Sequence, residues 1–299
     1  MLVAALRAHH PRVTVDVRRI TTKGDVMRDV PLATIAGRGV FVDAIEQALR
    51  EGEIDFAVHS AKDLPSTLPP DMRLGAVPER ADARDVLVAP AGTLAELPAG
   101  ARVGTSSLRR ACQLRTLRPD LDVREMRGNV DTRLAKLDRG DYDAIVLAAA
   151  GLIRLGFSAR ASEWFDPGAM MPSPGQGALA VEIRSDDDAL HSLLAPLTHE
   201  ATERAVVAER AFLAGLGAGC AAAVGAHATV DDRATLELRA FVGAPDGRML
   251  RDRAVGAPER AAAIGQQLAE RMLAGGADTL IAAAGVRGDA PAWTRPVDA

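Results

Sequence analysis

Five arginines in the middle of the chain lie at or just beyond the carboxyl ends of predicted strands. They are Arg109 and Arg110 after strand 101–103, Arg127 and Arg133 after strand 122–127, and Arg154 after strand 143–148. Ligands of open α/β sheets bind at this edge, and guanidinium groups form paired hydrogen bonds with carboxylates and phosphates. Cations in the first turn of a helix oppose the helix dipole, so a bound polyanion would offset a real cost. For any single arginine, a position on the solvated surface is an equally good explanation.

Two shorter motifs could contribute to a site of the same kind. The stretch GTSSL (104–108) offers backbone N–H groups and hydroxyls at a helix N-terminus, which suits an anion. The stretch HSAKDLP places His59, Lys62 and Asp63 at the end of strand 54–60. A lysine beside a carboxylate can bind one anion and stabilise one cation. Taken alone, the motif is explained more simply as a salt-bridged turn.

A thiol, Cys220, lies among glycines and alanines in the stretch GLGAGCAAAVGAH. Such small neighbours fit either a buried small hydrophobic residue or an attachment point for something large. The other cysteine, Cys112, lies in the predicted helix RRACQL and is most simply a buried small residue. Two cysteines cannot build a disulfide scaffold and no Cys/His cluster has zinc spacing, so we expect no metal.

Composition excludes several classes of partner. The 299 residues carry a net charge of −4, which gives no case for nucleic acid or an anionic membrane. No apolar stretch approaches the ~18 residues needed to span a bilayer, and the apolar run at the start is too short for a signal peptide. We therefore expect a soluble, cytoplasmic protein.

Arginine supplies all but three of the 36 basic residues, the exceptions being Lys23, Lys62 and Lys136. A retained lysine in such a chain is weak evidence that a compact ammonium group is needed. For any one of the three, chance retention on the surface is the simpler explanation.

Periodicity divides the chain into two α/β parts and a C-terminal α+β part. The first part has a predicted strand at 13–20, a helix that places Phe41, Ile45 and Leu49 on one face, and a strand at 54–60. This order predicts a parallel βαβ unit. A polar crossing at 77–85 leads to the second part, where the arginine-bearing strands alternate with helices, and a strand at 178–184 follows the break MPSPGQG. Beyond residue 199 we predict a long helix, two hairpin strands and an amphipathic helix, which form a separate α+β domain.

Taken together, these segments resemble the porphobilinogen deaminases, also called hydroxymethylbilane synthases. The order and spacing of the matching stretches cover nearly the whole chain, and the set is specific although no single motif is. The stretches are TTKGD, GRGVFV, DFAVHSAKDLP, GTSSLRRACQL, RGNVDTRL, YDAIVLAAAGLIRLG, PGQGA and GAGC.

The resemblance implies an α/β fold with two lobes like those of periplasmic binding proteins and a small C-terminal α+β domain. We expect lobe one to comprise residues 1–78 and 176–198, lobe two residues 79–175, and the cofactor-bearing domain residues 199–299. We also expect a monomer.

The resemblance further implies a reaction and a cofactor. Four porphobilinogen molecules would condense head to tail with release of ammonia, and hydrolysis would free the linear hydroxymethylbilane. Cys220 would hold a dipyrromethane cofactor through a thioether, with its small neighbours leaving room for the pyrrole chain. Each pyrrole carries an acetate and a propionate, so the growing chain is a polyanion that needs many cations.

Individual residues acquire roles from the matching motifs. Asp63 resembles the catalytic carboxylate, which would stabilise positive charge at the pyrrole nitrogens and assist proton transfer. The implied cofactor-binding residues, besides Cys220, are Lys62, Ser107, Arg109, Arg110, Arg127, Gly128 and Arg133. The implied substrate-binding residues are Arg127, Arg133 and Arg154. Gln176 lies in the matching PGQGA motif without a definite role.

Two features depart from the family pattern. Family members usually begin with a strand and helix that bear Arg-x-Ser-x-Leu-Ala, and this chain starts in what resembles the end of that helix. Either the start codon is misplaced, which we favour, or the molecule loses stability and activity. The cysteine loop also has Ala221-Ala222-Ala223 where a proline is common, which predicts a less rigid loop.

Two other functions compete with this one. A non-catalytic, two-lobed carboxylate-binding protein would explain the arginines but neither Cys220 nor the third domain. A phosphate-ester transferase would need a Walker-type lysine loop or paired metal carboxylates, which the sequence lacks.

Overall fold

The computed structural model of the chain describes residues 1–20, 42–90, 92–218 and 222–285. Several features named above lie wholly or partly outside these ranges: the motif TTKGD with Lys23, the motif GRGVFV with Phe41, and the end of the motif GAGC with Cys220 and Ala221.

Within the described ranges the chain forms helices and strands of a mixed α/β protein. The helices are Leu2–His9 (α1), Asp43–Arg50 (α2), Leu108–Leu117 (α3), Val130–Asp138 (α4), Ala149–Arg154 (α5), Asp188–Leu194 (α6), Glu200–Gly215 (α7), Ala261–Ala274 (α8) and Ala277–Gly285 (α9). The strands are Phe56–Ser60 (β1), Met72–Ala76 (β2), Asp85–Val88 (β3), Arg102–Gly104 (β4), Asp122–Arg124 (β5), Ala144–Ala148 (β6), Glu163–Trp164 (β7), Leu179–Arg184 (β8), Val224–Val230 (β9), Leu236–Gly243 (β10) and Met249–Gly256 (β11).

The first sheet has the strand order β1–β8–β2, and both pairings are antiparallel. Val181 and Ile183 of its central strand are fully buried against Leu6 of α1 and Leu194 of α6. The helix α2 carries acidic residues in its first turn and Arg50 in its last, which matches the helix dipole. A strand from late in the sequence thus completes a sheet that begins near residue 56.

The central sheet has the order β5–β4–β6–β3–β7. Its strands β5, β4 and β6 are parallel, whereas β3 is antiparallel to both β6 and β7. One face buries Val103 and Val146 against Leu114 of α3, and the other buries Ile145 against Leu134 of α4. Helices therefore cover both faces, as a parallel sheet requires.

The C-terminal sheet is the antiparallel meander β9–β10–β11. Its inner face packs on α7 and α8, where Phe212, Leu238 and Leu268 are 0% exposed. The predicted amphipathic face of α8 is confirmed, because Ile264, Leu268 and Met272 are all buried. The fold class is thus as predicted: α/β with a separate C-terminal α+β unit.

Two predictions for the first part of the chain are wrong. Residues 13–20 form no strand, although Val13 and Val15 pack on the cluster around Leu6. Alternation predicted the inward side chains of Val13 and Val15 but not the exposure of Val17, and none of the described strands pairs with this segment. The predicted parallel βαβ unit is therefore absent from the described residues, where β1 instead pairs antiparallel with β8.

Candidate active site

The three parallel strands bring their carboxyl-end loops together at one edge of the central sheet. The strand β4 leads through GTSS into α3, where the Ser107 hydroxyl caps the helix by accepting a hydrogen bond from the Arg110 N–H at 3.4 Å. The strand β5 leads into the loop 125–129, and Asn129 Oδ1 caps α4 by accepting from the Thr132 N–H at 2.9 Å. This edge is where such sheets bind ligands.

Arg109 and Arg110 turn inward from this edge to the buried carboxylate of Asp85. Arg109 Nη1 and Arg110 Nη2 each lie 2.7 Å from one of its oxygens, and the two arginines are only 3% and 6% exposed. Burial alone would raise the pKa of Asp85, but the two guanidinium charges outweigh burial and hold that pKa well below its usual range. Asp85, Arg109 and Arg110 together keep a net charge of about +1, because one carboxylate pairs with two guanidinium groups.

Asp85 was missed in the sequence, together with the role of Gln176. The side chain of Gln176, 1% exposed, donates from Nε2 to Asp85 Oδ1 at 2.8 Å and to the Ala83 carbonyl at 2.7 Å. The only available signal was an acidic residue at the start of the apolar stretch DVLV, where a carboxylate in a buried strand needs a paired cation. Gln176 of the PGQGA motif thus helps to hold the carboxylate that pairs with Arg109 and Arg110.

Arg133 and the loop that bears Arg127 form a second cationic group. Arg133 Nε donates to the Gly128 carbonyl at 2.7 Å, and its Nη2 donates to Ser106 Oγ at 3.1 Å. Desolvation, followed by the charges of Arg110 and Arg127, lowers the pKa of Arg133 to about 10. Arg127 is partly exposed, and its Nε lies 3.6 Å from Glu125 Oε1.

Gly128 occupies a position that only glycine fits. Its φ of +119° is in the range that side chains avoid, and an added Cβ would lie 2.7 Å from Thr132 Cγ2. The structure thus explains the glycine of RGNVDTRL by close contact between the loop and α4.

Lys62 and Asp63 lie in a 3-10 turn, Ala61–Asp63, directly after β1. Burial lowers the pKa of Lys62, and the charges of Arg110 and Arg109 lower it further against the opposing effect of Asp63. The Asp63 side chain is exposed, yet the surrounding protein removes enough water to raise its pKa despite the positive charges of Lys62 and His59. The first sheet therefore places this turn within electrostatic range of the central-sheet arginines.

Gly175 of the PGQGA motif presses against this same turn. An added Cβ would lie 2.9 Å from the Lys62 backbone nitrogen, and the φ of Gly175 is +74°. Arg154, exposed at the end of α5, donates from Nη2 to the Gly177 carbonyl at 2.9 Å. Arg154 is thereby tied to the crossing between the two sheets.

A buried ion pair absent from the sequence predictions joins all three sheets. Arg80, in the crossing after β2, donates to both oxygens of Glu209 on α7, at 2.6 and 3.1 Å. Glu209 is 0% exposed and also accepts from the backbone N–H groups of Gly175 and Ala228, at 2.6 and 2.7 Å. No spacing in the sequence links Arg80 to Glu209, because the two positions meet only through tertiary packing.

Cys112 is a buried thiol, as predicted. It is 1% exposed, its sulfur donates to the Ala244 carbonyl at 3.1 Å, and burial raises its pKa to about 11. It packs with Met171, Ala223 and Phe241 where α3 meets the C-terminal sheet. A thiol in this state is a poor nucleophile.

We use the name cation cluster for Lys62, Arg109, Arg110, Arg127 and Arg133. Desolvation is the main cause of the lowered pKa values of Lys62 and Arg133, and the neighbouring guanidinium charges lower both values further. An anion of several carboxylates would relieve the repulsion between these cations, so the donor set fits an acidic oligopyrrole. Across the described ranges, no group of three or more His, Cys, Asp or Glu side chains is placed to hold a metal ion, and no helix there has the length and apolar character to cross a membrane.

Comparisons with known proteins show which family the chain resembles. A profile described as "Porphobilinogen deaminase, dipyromethane cofactor binding domain" matches residues 1–192, and one described as "Porphobilinogen deaminase, C-terminal domain" matches residues 204–274. A porphobilinogen deaminase from Roseiflexus castenholzii is 56% identical over 94% of this chain and 93% of the relative. One from Acidothermus cellulolyticus is 51% identical over 94% of this chain and 86% of the relative.

Likeness to solved structures is weaker. The substrate-binding protein of an amino acid ABC transporter covers 64% of this chain and 75% of its own, at 13% identity and a TM-score of 0.32. The YhfZ protein from Shigella flexneri covers 70% of this chain and 86% of its own, at 17% identity and a TM-score of 0.32. These values are too low to support any argument about the site.

Proposed function

Because the chain belongs to the porphobilinogen deaminase family, we propose that the cation cluster and Asp63 together form its active site. The enzyme is a transferase that joins four porphobilinogen molecules into hydroxymethylbilane, with release of ammonia and with a dipyrromethane cofactor as primer. Family membership favours this catalytic function over a non-catalytic carboxylate-binding protein.

The observation that carries the proposal is that residues from two different sheets contribute to one group of charged side chains. Lys62 and Asp63 come from the first sheet, whereas the arginines come from the carboxyl edge of the central sheet. The charges of Arg110 and Arg109 act on Lys62 across this boundary. A substrate whose two carboxylates branch from neighbouring carbons of a pyrrole ring can therefore contact cations of both sheets at once.

The cofactor would be held through its carboxylates and one covalent bond. Lys62, Arg127 and Arg133 would supply direct charge-assisted hydrogen bonds, each contributing about 1.5–3 kcal/mol. Arg109 and Arg110, held by Asp85, would provide a rigid positive charge, with Ser107 and Gly128 shaping the two loops. Cys220 would form the thioether. When bound, the cofactor supplies the free pyrrole carbon from which the chain grows.

Asp63 would act on the incoming porphobilinogen. The amino group of porphobilinogen, protonated to an ammonium group, would leave as ammonia when its bond to the methylene carbon breaks, and the positive charge would be shared by that carbon and the pyrrole nitrogen. The Asp63 carboxylate would stabilise that charge, and its raised pKa makes it a better proton acceptor than an ordinary aspartate. A carbon–carbon bond would then form, and the Asp63 carboxylate would accept the proton displaced from the attacking pyrrole carbon. Arg154, Arg127 and Arg133 would bind the substrate carboxylates.

Intact-mass spectrometry tests the covalent part of this proposal. Protein purified from cells that make porphobilinogen should exceed its sequence mass by two linked pyrroles, and Cys220→Ser should lack the increment. Cys112→Ser is the matched control, since the Cys112 thiol is buried and donates to the Ala244 carbonyl, and it should keep the increment. Bare polypeptide mass in the unaltered protein would count against the proposal.

We also propose a domain division, an oligomeric state and a cellular location. Residues 1–78 with 176–198, residues 79–175, and residues 199–299 would be the three domains, the protein would be a monomer, and it would act in the cytoplasm. The sheet compositions support the first of these, because β8 pairs with β1 and β2 across more than a hundred residues of sequence.

A further inference from the structure

Three side chains donate hydrogen bonds to backbone carbonyls of the loop 125–129, which we call the Arg127 loop. Tyr142 Oη donates to the Glu125 carbonyl at 2.7 Å, Lys136 Nζ donates to the Arg127 carbonyl at 3.1 Å, and Arg133 Nε donates to the Gly128 carbonyl at 2.7 Å. The bonds from Tyr142 and Lys136 are partly buried, which limits competition from water, whereas the bond from Arg133 is exposed.

The donors belong to elements that are themselves firmly placed. Lys136 is on α4, whose Leu134 and Leu137 are buried in the core of the central sheet. Tyr142 is 5% exposed in the same core. The Arg127 loop is thus attached to the sheet through side chains at two points besides Arg133.

Lys136 and Tyr142 have no part in the active site as proposed above. Lys136 is one of only three lysines in the chain, and its ammonium group is directed at a backbone carbonyl instead of a side-chain carboxylate. Its place in the last turn of α4 also suits the helix dipole, but Arg139 at the C-cap could serve that purpose alone. The bond to the Arg127 carbonyl is the feature that calls for a further explanation.

We propose that Lys136 and Tyr142 are positioning residues, which fix the backbone of the Arg127 loop so that the Arg127 guanidinium meets the carboxylates of the pyrrole chain. This inference rests on the proposed role of Arg127. Neither residue touches the substrate. Loss of either bond frees the loop to shift, and a misplacement of about 1 Å in a binding group can reduce a rate by up to about a hundredfold.

Steady-state kinetics with matched variants test the inference. Lys136→Met keeps the aliphatic stem and removes the donor, and Tyr142→Phe removes only the hydroxyl. We expect each variant to raise KM for porphobilinogen by about three- to tenfold with a smaller change in kcat, on the scale of one lost hydrogen bond. Lys136→Arg keeps a donor and a charge and should recover most of the loss. Arg139→Met, an exposed change next to the same helix, is the control and should leave both constants unchanged.

Two further measurements separate positioning from general stability. Intact mass should show that both variants keep the two-pyrrole increment, and urea unfolding should show Tyr142→Phe folded under assay conditions. If Lys136→Met and Tyr142→Phe match Arg139→Met in KM while Arg127→Leu is impaired, the positioning role is wrong and the role of Arg127 stands. If Arg127→Leu is also normal, the proposed role of Arg127 fails and positioning fails with it.

Discussion

The carboxylate of Glu209 holds the guanidinium of Arg80 by two hydrogen bonds, at 2.6 and 3.1 Å, in a site closed to solvent on the carboxylate side. The same carboxylate accepts from the backbone of Gly175 and of Ala228, so one side chain bonds to both crossings between the first and central sheets and to the C-terminal sheet. The three parts of the molecule are therefore coupled through a single buried charge.

Glu209→Ala should reduce the free energy of unfolding by about 3–5 kcal/mol, because it leaves Arg80 and two backbone donors without their acceptor. Urea denaturation measures the change. Glu270→Ala, on the exposed side of α8, should stay within about 0.5 kcal/mol of the unaltered protein. An equally small change in Glu209→Ala would show that water replaces the carboxylate at little cost.

Asp85→Asn should also destabilise the fold, by about 3–5 kcal/mol, because it leaves Arg109 and Arg110 buried without their counter-charge. Asp138→Asn removes an exposed ion pair and serves as the control, with an expected loss below about 1 kcal/mol. Equal losses in the two variants would contradict the view that the buried pair is structural.

The pH dependence of stability should differ between the unaltered protein and Asp85→Asn. The folded-state pKa of Asp85 lies below the unfolded value of about 3.9, so its contribution is present above that pH and is lost as the pH falls through the folded pKa. Urea unfolding at several pH values below about 4 should therefore show a steeper decline for the unaltered protein. Parallel curves would mean that Asp85 is not the group responsible.

Asp63→Asn should lower kcat by about a hundred- to a thousandfold while the two-pyrrole mass increment stays largely in place. The amide keeps the shape of the side chain but cannot stabilise a developing cation by charge. Ammonia release measured under saturating porphobilinogen gives kcat. Unchanged turnover would remove Asp63 from the mechanism.

The acid limb of the kcat profile should reflect the raised pKa of Asp63. Because desolvation raises that pKa, the active carboxylate is lost at a higher pH than the value of about 3.9 for an ordinary aspartate. The limb should be missing from the residual activity of Asp63→Asn. A limb that persists unchanged in the variant belongs to another group.

Thiol titration should distinguish the two cysteines. Native enzyme should react very slowly, since Cys112 is buried with its pKa raised to about 11. After denaturation, protein that carries the two-pyrrole mass should show one thiol, because the other sulfur is in the thioether. Two thiols at that mass would place the cofactor on a different residue.

The sequence predicted the three parallel strands of the central sheet, but it missed the antiparallel strands β3 and β7 and the partners of Arg109 and Arg110. Strand–helix alternation sets the parallel order of β4, β5 and β6, and their loops meet as expected. Arg109 and Arg110 were assigned to the ligand, but both turn to Asp85, 24 and 25 residues earlier in the chain. The local sequence pattern predicts which element a side chain starts from. It cannot predict which buried carboxylate the folded chain brings next to that side chain.

The strand β9 shows a second limit. Val224, Ala226 and Ala228 alternate toward the core, yet the segment was taken as part of the cysteine loop. Alanine and glycine give little hydrophobic contrast, so the period of two is weak in a chain this rich in both. Cross-strand pairing with β10 forms the strand, and that pairing is a tertiary contact.

Two crossings, 77–84 and 171–178, join the first sheet to the central sheet, and Gly175 presses one of them against the turn that carries Lys62 and Asp63. When two bodies swing about a pivot, the points beside the axis travel the shortest arcs. Any swing of the two sheets about these crossings would therefore displace Asp63 least and the outer rims most. A pyrrole chain that lengthens ring by ring would then gain space at the periphery, while distances at Asp63 would change little.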